Sequence, residues 1–130
     1  MLIVVAAALV NDEGRVLLQQ RRAGRDMEGL WEFPGGKLEA GEGLEEALAR
    51  ELREELGIEV EPQALMPAAF ATAENGKRRM LLLLYIGREW RGSPRALDAA
   101  ALRWVRPAEM HALPMPPADE PLVAALKSMI

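Results

Sequence analysis

The chain has no cysteine. That absence removes disulfides, thiolate nucleophiles and cysteine-ligated zinc together. Histidine is almost missing as well: His111 is the only one in 130 residues. A two-histidine metal centre cannot be built within one chain, and a histidine general base would have to be that residue. There is also no surplus of basic charge. Sixteen Lys and Arg against 20 Asp and Glu leave a net charge of −4, which argues against a surface that holds duplex nucleic acid. Small anionic ligands are not excluded, because a bound metal supplies positive charge locally. Long apolar runs are lacking too. Met1 to Val10 is apolar, but it has no basic flank or cleavage site and is far too short to span a membrane. It reads as a buried strand of a cytoplasmic protein with no membrane partner.

What is present points to an ordinary folded domain. Half of the residues are hydrophobic, which argues against disorder. The length suits one domain, residues 1–130, with one real core. Leu2–Val10 and Arg15–Gln20 read as strands joined by the turn residues Asn11-Asp12-Glu13-Gly14, giving a hairpin. Arg21–Gly29 is a polar loop, and Leu30–Phe33 is a short strand stopped by Pro34-Gly35-Gly36. A helix is predicted from about Gly43 to Leu56, with Gly57 as its stop and Leu44, Leu48, Leu52 and Leu56 as its apolar stripe. Ala64–Ala73 and Arg79–Ile86 flank Glu74-Asn75-Gly76-Lys77, a strong hairpin signal. The run Leu81–Leu84 suggests a central strand buried on both faces. Gly92–Ala100 is a loop, Ala101–Val105 a strand, Pro114–Pro121 a rigid loop, and Glu120–Met129 a closing helix capped by Asp119 or Glu120.

The first helix carries an electrostatic puzzle. Glu51, Glu54 and Glu55 share one of its faces, and like charges at that spacing repel by roughly 0.2–0.5 kcal/mol per pair. A divalent cation would offset the repulsion, since hard cations such as Mg²⁺ take oxygen ligands and leave positions open for substrate phosphates. Glu55 projects close to the line of Leu44 and Leu48. The acids are therefore expected at the edge of the core, lining a cleft.

The segment Gly36–Ile58 resembles the Nudix box position for position. Gly36 is followed by five residues and Glu42, then by seven and Arg50-Glu51-Leu52, then by Glu54-Glu55 and Gly57-Ile58. Nine fixed positions over 23 residues make a chance match improbable. Gln20-Arg21-Arg22, the run Leu30 to Gly36, Trp90, and Pro116 to Leu122 resemble the MutT branch, so the likeness covers most of the chain. It implies an α/β fold, an α/β/α sandwich around a mixed sheet. It implies hydrolysis of a nucleoside triphosphate to the monophosphate and pyrophosphate with Mg²⁺ or Mn²⁺. 8-oxo-dGTP, the target of nucleotide-pool cleansing, is the favoured substrate; CTP, dCTP or a modified pyrimidine nucleotide is the alternative. A non-catalytic nucleotide-binding module is a third reading, weakened because every box carboxylate is present.

The same resemblance assigns roles. Glu51, Glu54 and Glu55 would hold metal together with the Gly35 carbonyl. Glu51 would also activate water, and Arg50 would orient it. A carboxylate base suits a chain with one histidine. Glu42 reads equally as a loop or metal residue and as a favourable acid near a helix N-terminus, with Gly36 and Gly57 as structural positions of the box. Asp98 falls where the family carries a glutamate that helps with metal or water, one methylene shorter. Arg21 and Lys37 would meet phosphates, each with a solvated surface role as its alternative. Phe33 and the Pro116-Pro117 loop would wall the base, while Trp31 fits either that wall or the core. Asp119 reads as the residue that selects the base or as a helix cap. An ionised carboxylate only accepts hydrogen bonds, whereas an amide also donates. His111 lies outside every motif and reads as a surface residue. The residues do not choose between a monomer and a dimer.

Overall fold

A computed structural model describes residues 1–130, the side chain of Asn75 excepted. Seven strands and two α-helices follow one another as β1 (Leu2–Leu9), β2 (Val16–Gln20), β3 (Trp31–Glu32), β4 (Gly35–Lys37), α1 (Leu44–Leu56), β5 (Met66–Asn75), β6 (Arg78–Gly87), β7 (Ala101–Val105) and α2 (Glu120–Lys127). Short 3₁₀ turns occupy Pro62–Ala64, Pro107–Ala112 and Pro117–Asp119.

The strands form two sheets. One is mixed, in the order β4-β1-β6-β5, with β1 and β6 parallel and its other pairs antiparallel. The other is antiparallel, β3-β2-β7. The hairpin expected of β1 and β2 is therefore a corner. The turn forms, with the Asn11 side chain accepting from the Glu13 and Arg15 amides at 3.0 and 2.9 Å. Only Val10 and Val16 bridge across it, and the two strands then enter different sheets. A local turn signal cannot report this divergence, because both strands find their partners far along the chain.

Alternation along the strands builds the layers. Val5, Ala7 and Leu9 of β1, with Leu17 of β2, pack under Ala47, Leu48, Leu52 and Leu56 of α1. Ala6, Ala8 and Val10, with Val16 and Leu18, face the opposite side and pack with Leu122, Val123 and Leu126 of α2. The result is α/β with a helix on each face, as the sequence predicted. β6 lies between β1 and β5 and sends Leu82 and Leu84 to one cluster, Leu83 and Tyr85 to the other. It is the doubly covered central strand expected of that apolar run.

Helix α1 begins after Gly43 and ends at Gly57, whose φ of 70° is left-handed and whose amide donates to the Arg53 carbonyl. Leu48, Leu52 and Leu56 are fully buried, and Leu44 is half-buried at the start of the stripe. β4 was not foreseen, since Pro34-Gly35-Gly36 reads as a stop. It pairs with β1, Ala6 opposite Gly35 and Val5 opposite Gly36. A Cβ on Gly35 would run into the Val5 carbonyl oxygen, so the close approach of these two backbones demands glycine.

Candidate active site

Gly35 and Gly36 bring β4 against α1, and the box glutamates meet them there. A Cβ on Gly36 would strike the Glu51 carboxylate. The Gly35 amide donates to Glu55 Oε1 at 3.1 Å. The same oxygen accepts from Gln19 Nε2 at 3.0 Å. Glu51 and Glu55, one turn apart, turn their carboxylates toward each other at this buried edge of the sheet. Burial, then the charge of Glu51, push Glu55 up to about 8 against the bonds from Gln19 and Gly35. Burial also raises Glu51, while the Arg50 guanidinium works the other way.

Arg50 ties the segment together. Its Nε and Nη2 grip the two oxygens of Glu42 at 2.7 and 2.9 Å. Its Nη1 reaches Glu51 at 3.0 Å and Glu54 at 3.3 Å, and Nη2 donates to the Lys37 carbonyl at 3.3 Å. The bidentate bond to Arg50 holds Glu42 below the usual carboxylate range. Glu42 thus anchors Arg50, and its Oε1 also accepts from the Glu39 amide at 3.0 Å in the loop before the helix.

The predicted residues separate into groups. Glu51 and Glu55 come together, with Arg50 and Glu42 behind them. Glu54 lies on the same helix, but its side chain is 57% exposed and drawn to Arg50. No three acids converge into a finished cluster among the described residues. The donor set nonetheless fits a hard divalent cation. It offers carboxylate oxygens and no sulfur, and two of its members face each other at a partly buried edge, with Glu54 on the same helix.

Asp98 is placed differently from expectation. Its carboxylate pairs with Arg25 at 3.0 Å and Arg22 at 3.8 Å, in a polar cleft that Gln19, Arg21 and Glu32 also line. The shorter aspartate is engaged by those arginines and not by the helix acids. Arg21 bonds Glu32 at 2.9 Å and the Asp26 carbonyl at 3.2 Å. Lys37 is exposed at the end of β4.

Asp119 and Phe33 meet at the other end. Asp119 is only 6% exposed; it holds the N-cap position of α2 without a side-chain capping bond, and it lies beside the Phe33 amide. Burial, then the charge of Glu32, push Asp119 up to about 7. Phe33 is buried, and Trp31 packs against the same cluster as α2, with its amide bonded to the Pro114 carbonyl at 2.8 Å. His111 is exposed and touches Lys127, away from the acids.

Sequence reasoning missed Gln19 and Glu32. Gln19 was signalled by a polar residue in phase with Leu17, on the face that β2 turns to α1. Glu32 was signalled by a carboxylate between two aromatics. Burial raises its pKa above the usual value, with Arg21 opposing.

The family model described as NUDIX domain matches residues 1–126. The chain belongs to the Nudix family. It is 40% identical to the CTP pyrophosphohydrolase of Escherichia coli K12, over 98% of this chain and 93% of that protein. It is 44% identical to the putative 8-oxo-dGTP diphosphatase 2 of Mycobacterium tuberculosis H37Rv, over 95% of this chain and 86% of that one. The solution structure of the Escherichia coli ORF135 protein superposes with a TM-score of 0.89 at 41% identity, covering 99% of this chain and 90% of that one. Nudix hydrolases act with a divalent metal ion, the group that the acids of α1 fit. No helix is long and apolar enough to cross a membrane among the described residues.

Proposed function

We propose that this Nudix hydrolase converts a nucleoside triphosphate to the monophosphate and pyrophosphate with Mg²⁺, with 8-oxo-dGTP as the favoured substrate. The observation that carries the reading is the half-buried meeting of Glu51 and Glu55 against Gly35-Gly36, with Arg50 clamped between Glu42 and Glu51. In this reading Glu51 takes the proton of the attacking water, held in place by Arg50. Glu55, Glu54 and the Gly35 carbonyl, with Glu51, hold the cation. When bound, the cation neutralises charge that develops on the phosphates during in-line displacement. Arg21 and Lys37 orient the phosphate chain, Phe33 walls the base, and Asp119 reads its edge.

The environment of Asp119 supports the oxidised purine. With its pKa near 7, Asp119 is partly protonated at neutral pH, so it donates as well as accepts, as an amide would. A second reading, a cytosine-type nucleotide, is favoured by the neighbouring carboxylates Glu32 and Asp119, both acceptors for an exocyclic amine when ionised. The similarity to a CTP pyrophosphohydrolase points the same way. A panel of 8-oxo-dGTP, dGTP, CTP and dCTP with Mg²⁺, scored by kcat/KM and by pyrophosphate against phosphate release, tests both. The expected outcome is pyrophosphate release and preference for 8-oxo-dGTP. A higher kcat/KM for the cytosine nucleotides would replace the first reading with the second, and phosphate release would overturn the proposed bond cleavage.

A further inference from the structure

We propose that Gln19 is a positioning residue that fixes the direction of the Glu55 carboxylate. The inference rests on the reading of the α1 acids as cation ligands. Gln19 sits on β2 two residues beyond Leu17, and the strand's alternation aims it under α1. It is 5% exposed, and its Nε2 donates to Glu55 Oε1 at 3.0 Å. The Gly35 amide donates to that same oxygen at 3.1 Å. Two donors on one oxygen pin that side of the Glu55 group, which faces Glu51. The terminal torsion of a glutamate is broad, so the single backbone donor would leave the carboxylate free to swing.

The other end of the amide separates this role from packing. Gln19 Oε1 is buried with no hydrogen-bond partner among the described residues. An unpaired buried acceptor costs stability, and an apolar side chain of the same shape would avoid that cost. A residue selected to fill space here would be leucine or methionine. The glutamine retains its amide at a cost, and the only bond that amide makes is the one to Glu55.

The test is Mn²⁺ binding to the full chain, followed by electron paramagnetic resonance, with melting temperature measured in parallel. Gln19→Leu and Gln19→Met both remove the donor and keep the volume. Partners that orient metal ligands typically contribute 10–100-fold in metal affinity. Both variants are therefore expected to bind Mn²⁺ about 10-fold more weakly, with melting temperature unchanged or raised. Glu55→Gln serves as the reference for loss of the ligand itself. Wild-type affinity in the Gln19 variants would overturn the proposal while leaving the cation site intact. A lowered melting temperature with unchanged affinity would make Gln19 structural and overturn it as well. If the wild-type protein binds no Mn²⁺, the reading of the acids as cation ligands fails first, and the role of Gln19 falls with it.

Discussion

At the scale of single residues the proposed function rests on two carboxyl groups, Glu51 and Asp119. Glu51 is the proposed base, and its amide counterpart cannot take a proton. Glu51→Gln is expected to lower kcat by about 10²–10⁴, the usual contribution of a positioned base, with KM little changed. Pyrophosphate release measured in Mg²⁺ checks it; a mutant as fast as wild type removes Glu51 from the mechanism. Asp119 is the proposed reader of the base, so its variants are expected to alter choice more than rate. As pH rises through about 7 it loses its proton and becomes an acceptor only. The ratio of kcat/KM for 8-oxo-dGTP over dCTP should therefore fall between pH 6 and pH 8 on this ionisation. In Asp119→Asn, which keeps a donor at every pH, the ratio should stay flat. An identical pH profile in the two proteins would show that Asp119 does not read the base.

At the scale of elements, legibility followed locality. Helix α1 was readable to within a residue because everything that defines it is local: the leucine stripe, Gly57 as its left-handed stop, and the acids on one face. The edge position of Glu55 could also be read, since helical spacing alone sets it beside the leucines. Strand β4 was not readable, because Gly35 and Gly36 are glycines for the sake of partners remote in sequence, Val5 and Glu51. The β1–β2 corner and the arginine partners of Asp98 were hidden for the same reason. The two glycines make opposite predictions. In Gly35→Ala the new methyl meets backbone, which cannot step aside, so stability should fall by about 1–3 kcal/mol. In Gly36→Ala it meets the Glu51 side chain, which can rotate away, so stability should hold while kcat falls. Urea denaturation beside pyrophosphate release separates them. Equal stability losses would show that the Glu51 carboxylate is held too firmly to yield.

At the scale of the whole molecule, acids gather in two places: Asp119 lies near Glu32, and Glu55 faces Glu51 beside Gln19. The fold encloses these acids without enough fixed positive charge to balance them: Arg21 serves Glu32 and Arg50 serves Glu51, while Glu55 and Asp119 have no cation of their own among the described residues. The consequence for stability has a definite sign. Both groups titrate higher in the folded chain than their ordinary values of 4.5 and 3.8, at about 8 for Glu55 and about 7 for Asp119. Their protonated forms favour folding, so their contribution is full below pH 4 and is lost as pH rises through 7 and 8. The metal-free protein should therefore melt at a falling temperature between pH 5 and pH 8.5 on this account. A cation that binds only the folded state adds stability in proportion to the logarithm of its concentration over Kd, and it competes with the proton on Glu55. Millimolar Mg²⁺ should thus raise the melting temperature more at pH 8 than at pH 5.5. Glu55→Gln should flatten the metal-free slope and diminish the Mg²⁺ effect together. A scanning calorimetry series in which Mg²⁺ stabilises equally at both pH values would detach the cation from Glu55.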